Sequence, residues 1–136
     1  SPEVILCVDD EGIILLHLVT LLQRRYGSRY RYERASSAAE GLEVVKRLDS
    51  EGAGLAVLIS DRLMPGMSGD EFVRTLHASH PELRSILVSG KTDEDEIRQL
   101  REEAGVAGFL SKPISSEELF SLIDQIEAER NSARDR

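Results

Sequence analysis

The 136-residue chain has 17 Lys and Arg against 25 Asp and Glu, and its net charge of -8 disfavours direct binding to nucleic acid or to an anionic membrane. Its 40% hydrophobic and 31% charged residues are typical of one globular domain. The single cysteine, Cys7, excludes an internal disulfide, and no apolar run has the length of a membrane-spanning helix. Together with the lack of a signal peptide in this sequence, these features predict a cytoplasmic protein.

Five short apolar runs predict five strands. In chain order the runs span residues 4–8, 30–34, 55–59, 83–88 and 106–110. The first and third are continuous apolar runs, which is typical of strands that are buried on both faces, whereas the second alternates only weakly.

After each of these strands comes a segment in which apolar residues recur at the spacing of an α-helix. The first helix, residues 13–25, is strongly apolar, and capping-box patterns open the second at Ser37, the third at Ser68 and the fifth at Ser115. The fourth helix begins with a run of acids after Thr92, where the helix dipole favours them. Its inward-facing positions are only Ile97, Leu100 and Ala104. We therefore expect the fourth helix to be weakly anchored.

The regular alternation of strand and helix predicts an α/β domain with a parallel sheet that is covered on both faces and joined by right-handed crossovers. We assign residues 1–126 to this domain. Residues 127–136 are polar and charged, and we interpret them as a helix end or a linker.

Polar side chains collect where the predicted strands end. Asp9 and Asp10 follow the first strand, Asp61 the third and Ser89 the fourth, while Lys112 comes just after the fifth. In open parallel sheets, sites form beyond the carboxyl ends of the strands. The sequence therefore predicts three carboxylates, a hydroxyl and an ammonium at one edge of the sheet.

These residue types fit phosphoryl chemistry. Three close carboxylates repel one another unless a cation lies among them, and hard oxygen ligands suit Mg²⁺. A carboxylate can attack phosphorus to form an acyl phosphate, and an ammonium and a hydroxyl stabilise the negative charge of the transferring group. Lys112 precedes Pro113, and the sequence leaves the isomer of that bond open.

Four segments in this order resemble the receiver domain of two-component response regulators. They are residues 9–11, 61–69, 87–90 and 104–113, and the resemblance spans roughly residues 3–126. Each segment alone has little specificity, whereas the four together are highly specific. The resemblance implies a flavodoxin-like (βα)5 fold with strand order 2-1-3-4-5.

The resemblance also implies a role for each site residue. Asp61 would accept a phosphoryl group from a histidine kinase or a histidine phosphotransfer protein, with Mg²⁺ as cofactor. Asp10 would bind the metal directly and Asp9 through water. The remaining implied roles are a metal-binding backbone carbonyl at Leu63, a switch pair at Ser89 and Phe109, the site lysine at Lys112, and tuning of dephosphorylation by Leu63 and Lys91.

The first helix is too apolar for a helix with one buried face. Helical spacing groups Ile14, Leu18, Leu21 and Leu22 on one face. This grouping turns Ile13, Leu16 and Val19 outward. Because the first helix docks phosphodonors in this family, we interpret these three as a docking patch. The alternatives are ordinary exposed aliphatics and contact with another domain.

The sequence favours a phosphorylation switch over two other classes. An aspartyl phosphohydrolase would need a second acid two residues after Asp61, where Leu63 stands, so we do not expect an enzyme beyond assistance to its own phosphorylation and dephosphorylation. A phosphate-independent interaction module is the alternative, and the complete site counts against it. The output, the cognate kinase and dimerisation through the fourth and fifth helices remain open.

Overall fold

The computed structural model describes residues 2–90 and 93–134, in which strands and α-helices alternate. The strands are β1 (Glu3–Val8), β2 (Tyr30–Ala35), β3 (Leu55–Asp61), β4 (Arg84–Val88) and β5 (Val106–Leu110). The helices are α1 (Gly12–Tyr26), α2 (Ala38–Glu51), α3 (Gly69–Ser79), α4 (Glu94–Ala104) and α5 (Ser116–Arg134), with a 3-10 turn at Gly27–Arg29. The order of elements agrees with the sequence prediction, and most bounds differ by one or two residues.

All five strands pair in parallel, in the order β2-β1-β3-β4-β5. This is the flavodoxin-like arrangement that the family resemblance implied. Successive strands are added on one side of β1 with β2 and on the other side with β3. The carboxyl ends of β1 and β3 therefore border the crevice where such folds bind ligands.

Two hydrophobic clusters cover the two faces of the sheet. In β1, Val4, Leu6 and Val8 point to the face under α2, α3 and α4, while Ile5 and Cys7 point to the face under α1 and α5. This alternation follows from the two-residue repeat of a strand. Both faces of the central strands are therefore apolar, and burial raises the pKa of the Cys7 thiol to about 12.

Serine side chains begin three of the helices as predicted. The hydroxyls of Ser37, Ser68 and Ser115 accept hydrogen bonds from backbone N–H groups three residues along, at 3.1, 3.2 and 3.3 Å. Helix α4 instead uses Asp93, whose carboxylate accepts from the N–H of Asp95 at 2.8 Å. The predictions for Lys91 and Thr92 fall outside the described residues.

The interpretation of Val19 as an outward-facing residue is wrong. Val19 is buried against the sheet, whereas Ile13 and Leu16 are 80% and 58% exposed. The buried stripe of α1 consists of Leu15, Leu18, Val19, Leu22 and Tyr26. The buried face of α1 is therefore rotated toward Leu15 and Val19 relative to the face predicted from the sequence. In a helix this apolar, the spacing of apolar residues alone does not determine which side faces the sheet.

Helix α5 continues through most of the polar tail. Arg130 and Arg134 both form ion pairs with Glu3 at the start of β1. Glu127 forms an ion pair with Arg29 and accepts a hydrogen bond of 2.6 Å from the Tyr30 hydroxyl. The division of the chain at residue 126 stays a prediction. Within residues 2–90 and 93–134, none of the helices combines the length and apolar character needed to cross a bilayer.

The close approach of α2 to α3 yields a stability prediction. A Cβ at Gly41 would lie 2.7 Å from Cζ of Phe72, a ring with no exposed surface. We expect Gly41→Ala to lower the free energy of unfolding by about 1–2 kcal/mol, because overpacking outweighs the helix-propensity gain. Gly12→Ala, which meets nothing within 4 Å, should be neutral or stabilising. Urea unfolding measures both, and a Gly41→Ala protein as stable as Gly12→Ala would contradict the packing argument.

Candidate functional site: an acidic pocket at the carboxyl edge of the sheet

The register of the sheet brings the predicted site residues together. Val8 of β1 is paired with Ser60 of β3, and Asp61 is paired with Val88 of β4. Val88 is in turn paired with Leu110 of β5. The residues that directly follow these positions therefore meet at one edge, as the strand ends predicted.

Three carboxylates converge at this edge. Ligand oxygens of Asp9, Asp10 and Asp61 all lie within 4.8 Å of one another. Asp9 is 1% exposed and Asp61 is 8% exposed, whereas Asp10 faces solvent. Oδ1 of Asp9 accepts a hydrogen bond from the backbone N–H of Glu11 at 2.9 Å, while no described donor has hydrogen-bond geometry to its Oδ2. The ammonium of Lys112 lies 3.3 Å from this oxygen, and a carboxylate with so few partners keeps lone pairs that could bind a metal cation.

Lys112 supplies positive charge to the cluster. Its Nζ lies 3.0 Å from Glu11, 3.3 Å from Asp9 and 3.4 Å from Asp61. Partial burial acts to lower the pKa of Lys112, but the bond to Glu11 and the charges of Asp61 and Asp9 raise it above its usual range. The side chain is therefore a fixed cation, and its shortest contact is with Glu11. The Lys112–Pro113 bond, which the sequence left open, is cis.

Asp10 and Asp61 line a pocket of about 440 Å³. Its wall includes Ser89, which is partly buried, and Leu63, whose side chain is 82% exposed. Phe109 is partly buried and packs against the core cluster on the α4 side of the sheet, so it does not line the pocket. Among the described residues, the structure thus brings the predicted site residues together with the exception of Phe109, and it leaves Ile13 and Leu16 exposed on α1.

The loop after β3 depends on Gly69. Its N–H donates to the carbonyl of Arg62 at 2.9 Å. A Cβ at Gly69 would lie 2.3 Å from the carbonyl oxygen of Asp61 and 2.8 Å from Cα of Arg62. This position therefore excludes any side chain, because the neighbouring atoms belong to the backbone of the site.

Arg62 is a site neighbour that sequence reasoning missed. Its guanidinium donates to both carboxylate oxygens of Asp70 at 2.8 and 2.9 Å, and to Glu96 at 2.7 Å. The bond to Asp70, outweighing the cost of burial, and the bond to Glu96 raise the pKa of Arg62. The partners lie eight and 34 residues away, so no local spacing could have predicted the contacts.

Charge repulsion between Asp9 and Asp61 has a consequence for the pKa of Asp9. Burial raises this pKa above its ordinary value, and the charge of Asp61 raises it further, against the opposing effects of the Glu11 N–H and Lys112. An acid with a raised folded-state pKa binds its proton more tightly when folded. The ionised form of Asp9 therefore lowers stability at neutral pH, and stability is regained as the pH falls through the raised pKa.

Comparison with known proteins identifies a family for this arrangement. The sequence profile of the response regulator receiver domain matches residues 5–124. The sensor kinase CckA of Brucella abortus is 33% identical over 122 residues, which cover 90% of this chain and 12% of that kinase. The hydrogenase transcriptional regulatory protein HoxA of Cupriavidus necator is 30% identical over 121 residues, which cover 89% of this chain and 23% of that regulator. The chain thus spans less than a quarter of the length of these relatives.

Solved structures have the same fold. The signal receiver domain of an HD domain-containing protein from Pseudomonas fluorescens superposes with a TM-score of 0.80 at 26% identity, over 97% of this chain and 99% of that one. A response regulator receiver domain protein from Clostridium thermocellum gives a TM-score of 0.80 at 27% identity, over 96% and 98% of the two chains.

The crowding of negative charge predicts a stabilising substitution. Asp9→Asn removes the buried charge, and its side-chain oxygen can still accept from the Glu11 N–H. We expect a higher free energy of unfolding than the parent in EDTA at pH 7, with the difference shrinking as the pH is lowered through the raised pKa of Asp9. Denaturant unfolding at a series of pH values checks this.

Asp10→Asn is the matched control, because Asp10 is exposed. We expect a smaller gain from it. An Asp9→Asn protein that is less stable than the parent in EDTA, or a stability difference that does not depend on pH, would contradict the repulsion argument.

Proposed function

The chain belongs to the response regulator receiver domain family of two-component systems, and from this premise we propose that it is a phosphorylation switch with Asp61 as the phosphoacceptor. The observation that carries the proposal is the convergence of three carboxylates and Lys112 at the carboxyl edge of the sheet. Asp61 is the member of this cluster that ends the central strand β3 and faces both the pocket and the lysine.

The donor set suits Mg²⁺. Clustered carboxylates, one of them with an oxygen that lacks a hydrogen-bond donor among the described residues, match the oxygen ligands that this ion prefers. We assign direct ligation to Asp10 and Asp61, ligation through water to Asp9, and a third protein ligand to the backbone carbonyl of Leu63. When bound, Mg²⁺ would neutralise the carboxylates and the oxygens of the incoming phosphoryl group.

The proposed reaction is a phosphoryl transfer between a histidine and Asp61. A carboxylate oxygen of Asp61 attacks the phosphorus of a phosphohistidine, so that an O–P bond forms and the N–P bond breaks. The imidazole nitrogen keeps the electron pair of the broken bond. Lys112, already 3.4 Å from Asp61, offsets the negative charge on the transferring group. Hydrolysis of the acyl phosphate by water would return Asp61 to its free form.

The proposed switch uses Ser89 and Phe109. Ser89 lies at the pocket wall, and its hydroxyl would move to bind the phosphoryl group. Phe109 in the adjacent strand β5, which is partly buried and packs at the edge of the core, would then turn further inward. Their movement would change the surface formed by α4, β5 and α5.

A phosphate-independent interaction module with the same fold is the competing function. The exposed Leu63, Ile13 and Leu16 would serve such a module equally well. The buried Asp9 disfavours it, because a buried charge that lowers stability has no use in a surface that only docks a partner. Catalysis on a separate substrate is also disfavoured, since Leu63 stands where an aspartyl phosphohydrolase would carry its second acid.

The partners follow from the same chemistry. We propose a histidine kinase or a histidine phosphotransfer protein as the donor, and a cytoplasmic location where such donors act. The docking patch on α1 now consists of Ile13 and Leu16, without the buried Val19. The relatives include a sensor kinase and a transcriptional regulator, so the comparisons do not single out an output partner for this receiver. Pairing of two copies through α4 and α5 is a further proposal.

Phosphorylation can be tested without a kinase. The protein is incubated with Mg²⁺ and acetyl phosphate and its intact mass is measured. We expect one added phosphoryl group, which is absent in Asp61→Asn and in the presence of EDTA. Lys112→Met should reduce the rate at least tenfold, because the positive charge beside Asp61 is lost. An unmodified parent that also fails to bind Mg²⁺ would leave the phosphate-independent module as the better explanation.

The docking patch has its own test. Leu16→Glu should slow transfer from a purified, autophosphorylated histidine kinase about tenfold, because a charge replaces an apolar contact in the complex. Phosphorylation by acetyl phosphate should not change, since that donor needs no docking surface. Gln23→Glu introduces the same charge at an exposed position further along α1 and should have no effect. Equal transfer rates for Leu16→Glu and the parent would contradict the patch.

A further inference from the structure

The guanidinium of Arg62 joins three elements beside the phosphoacceptor. It is held by Asp70 at the start of α3 and by Glu96 in the first turn of α4, and Arg62 itself directly follows Asp61 at the end of β3. Its side chain is only 14% exposed, while those of Asp70 and Glu96 are 22% and 50% exposed. The arginine is therefore an ordered connection between the phosphoacceptor strand and α4 rather than a mobile surface charge.

Helix α4 has few other attachments. Leu100 and Ala104 are its only fully buried residues, and both lie in its C-terminal half. In the first turn, Glu94 and Asp95 face solvent, and the ion pair of Asp95 with Arg98 stays within the helix. Among the described residues, the contact with Arg62 is the charged link between this turn and the rest of the domain. Ile97 at the end of this turn is only partly buried, so the contact with Arg62 should contribute strongly to the position of the turn.

The same contact borders the wall of the phosphoacceptor pocket. Arg62 and Glu96 both line a second pocket, of about 380 Å³, which shares Leu63, Ser89 and Gly90 with the first. Ser89 and Gly90 follow β4 in the chain, and α4 is the next element. A movement of Ser89 toward Asp61 would thus change the shape of the pocket that Arg62 and Glu96 also line.

We propose that Arg62 is a positioning residue that holds α4 in its unphosphorylated position through Glu96 and thereby sets how readily Asp61 accepts a phosphoryl group. This proposal rests on the proposed function. A contact that exists before phosphorylation and is lost afterwards opposes phosphorylation, because the two equilibria are linked. The hydrogen bonds from Arg62 to Asp70 have a different effect, because they fix the loop that carries the Leu63 carbonyl.

The test compares Glu96→Gln with Glu94→Gln. Both positions lie in the first turn of α4 and both substitutions remove one negative charge, but only Glu96 contacts Arg62. Hydrogen exchange of the α4 amides reports the position of the helix. Calorimetric titration with beryllofluoride and Mg²⁺, a non-covalent analogue of the phosphoryl group, reports the affinity of the site. Asp61→Asn is the reference that should not bind the analogue.

We expect Glu96→Gln to speed exchange in the first turn of α4 and to tighten beryllofluoride binding by about two- to fivefold, the range of a partly exposed ion pair. Glu94→Gln should change neither quantity. In an Arg62→Met background, Glu96→Gln should have no further effect, which assigns the change to the contact rather than to charge at the helix end.

Two results would overturn the proposal. One is unchanged exchange in Glu96→Gln. The other is faster exchange with an unchanged beryllofluoride affinity, which would mean that the contact holds α4 without influencing the site. Failure of the parent itself to bind the analogue would instead contradict the proposed function, and the exchange measurement would still decide whether Arg62 holds α4.

Discussion

The site depends on the repulsion between two neighbouring carboxylates, Asp9 and Asp61, which the fold holds close together. Asp9 is almost completely buried beside Asp61, and Lys112, which contacts both, makes its shortest contact with Glu11. Burying like charges is costly, so nothing in folding alone favours this arrangement. The parallel sheet enforces it, because the register of β1 and β3 leaves both carboxylates at the same edge. A cation among the carboxylates would relieve this repulsion, and this is the physical basis of the proposed Mg²⁺ site.

The loop between β3 and α3, which borders these carboxylates, is held in place by contacts at both of its ends. Gly69 brings the start of α3 against the backbone of Asp61, with no room for a side chain. Two hydrogen bonds from the side chain of Arg62 to the carboxylate of Asp70 join the two ends of the same loop. The loop that carries Leu63 is thereby fixed at both its ends. A proposed metal ligand on this loop would consequently need little reorganisation before it binds.

Sequence reasoning recovered what depends on local pattern. The apolar runs predicted the strands, and the ends of those runs predicted the cluster of Asp9, Asp61 and Lys112, because parallel strands always place their carboxyl ends together. Val19 was misassigned because a helix as apolar as α1 does not reveal which stripe faces the sheet. Arg62 was missed because its partners come from α3 and α4, and a contact between distant segments leaves no periodic signal.

The two faces of the sheet are held in different ways, and this difference gives the proposed switch a direction. On the α5 face, the hydroxyls of Tyr26 and Tyr30 donate to Asp124 and Glu127 at 2.8 and 2.6 Å. Burial, followed by these bonds, raises the pKa of both tyrosines, so they remain neutral donors at any physiological pH. On the other face, the charged link between the first turn of α4 and the other described elements is the contact with Arg62. Because a perturbation moves the element that costs least to displace, strain from Asp61 should pass to α4 while α1 and α5 stay in place.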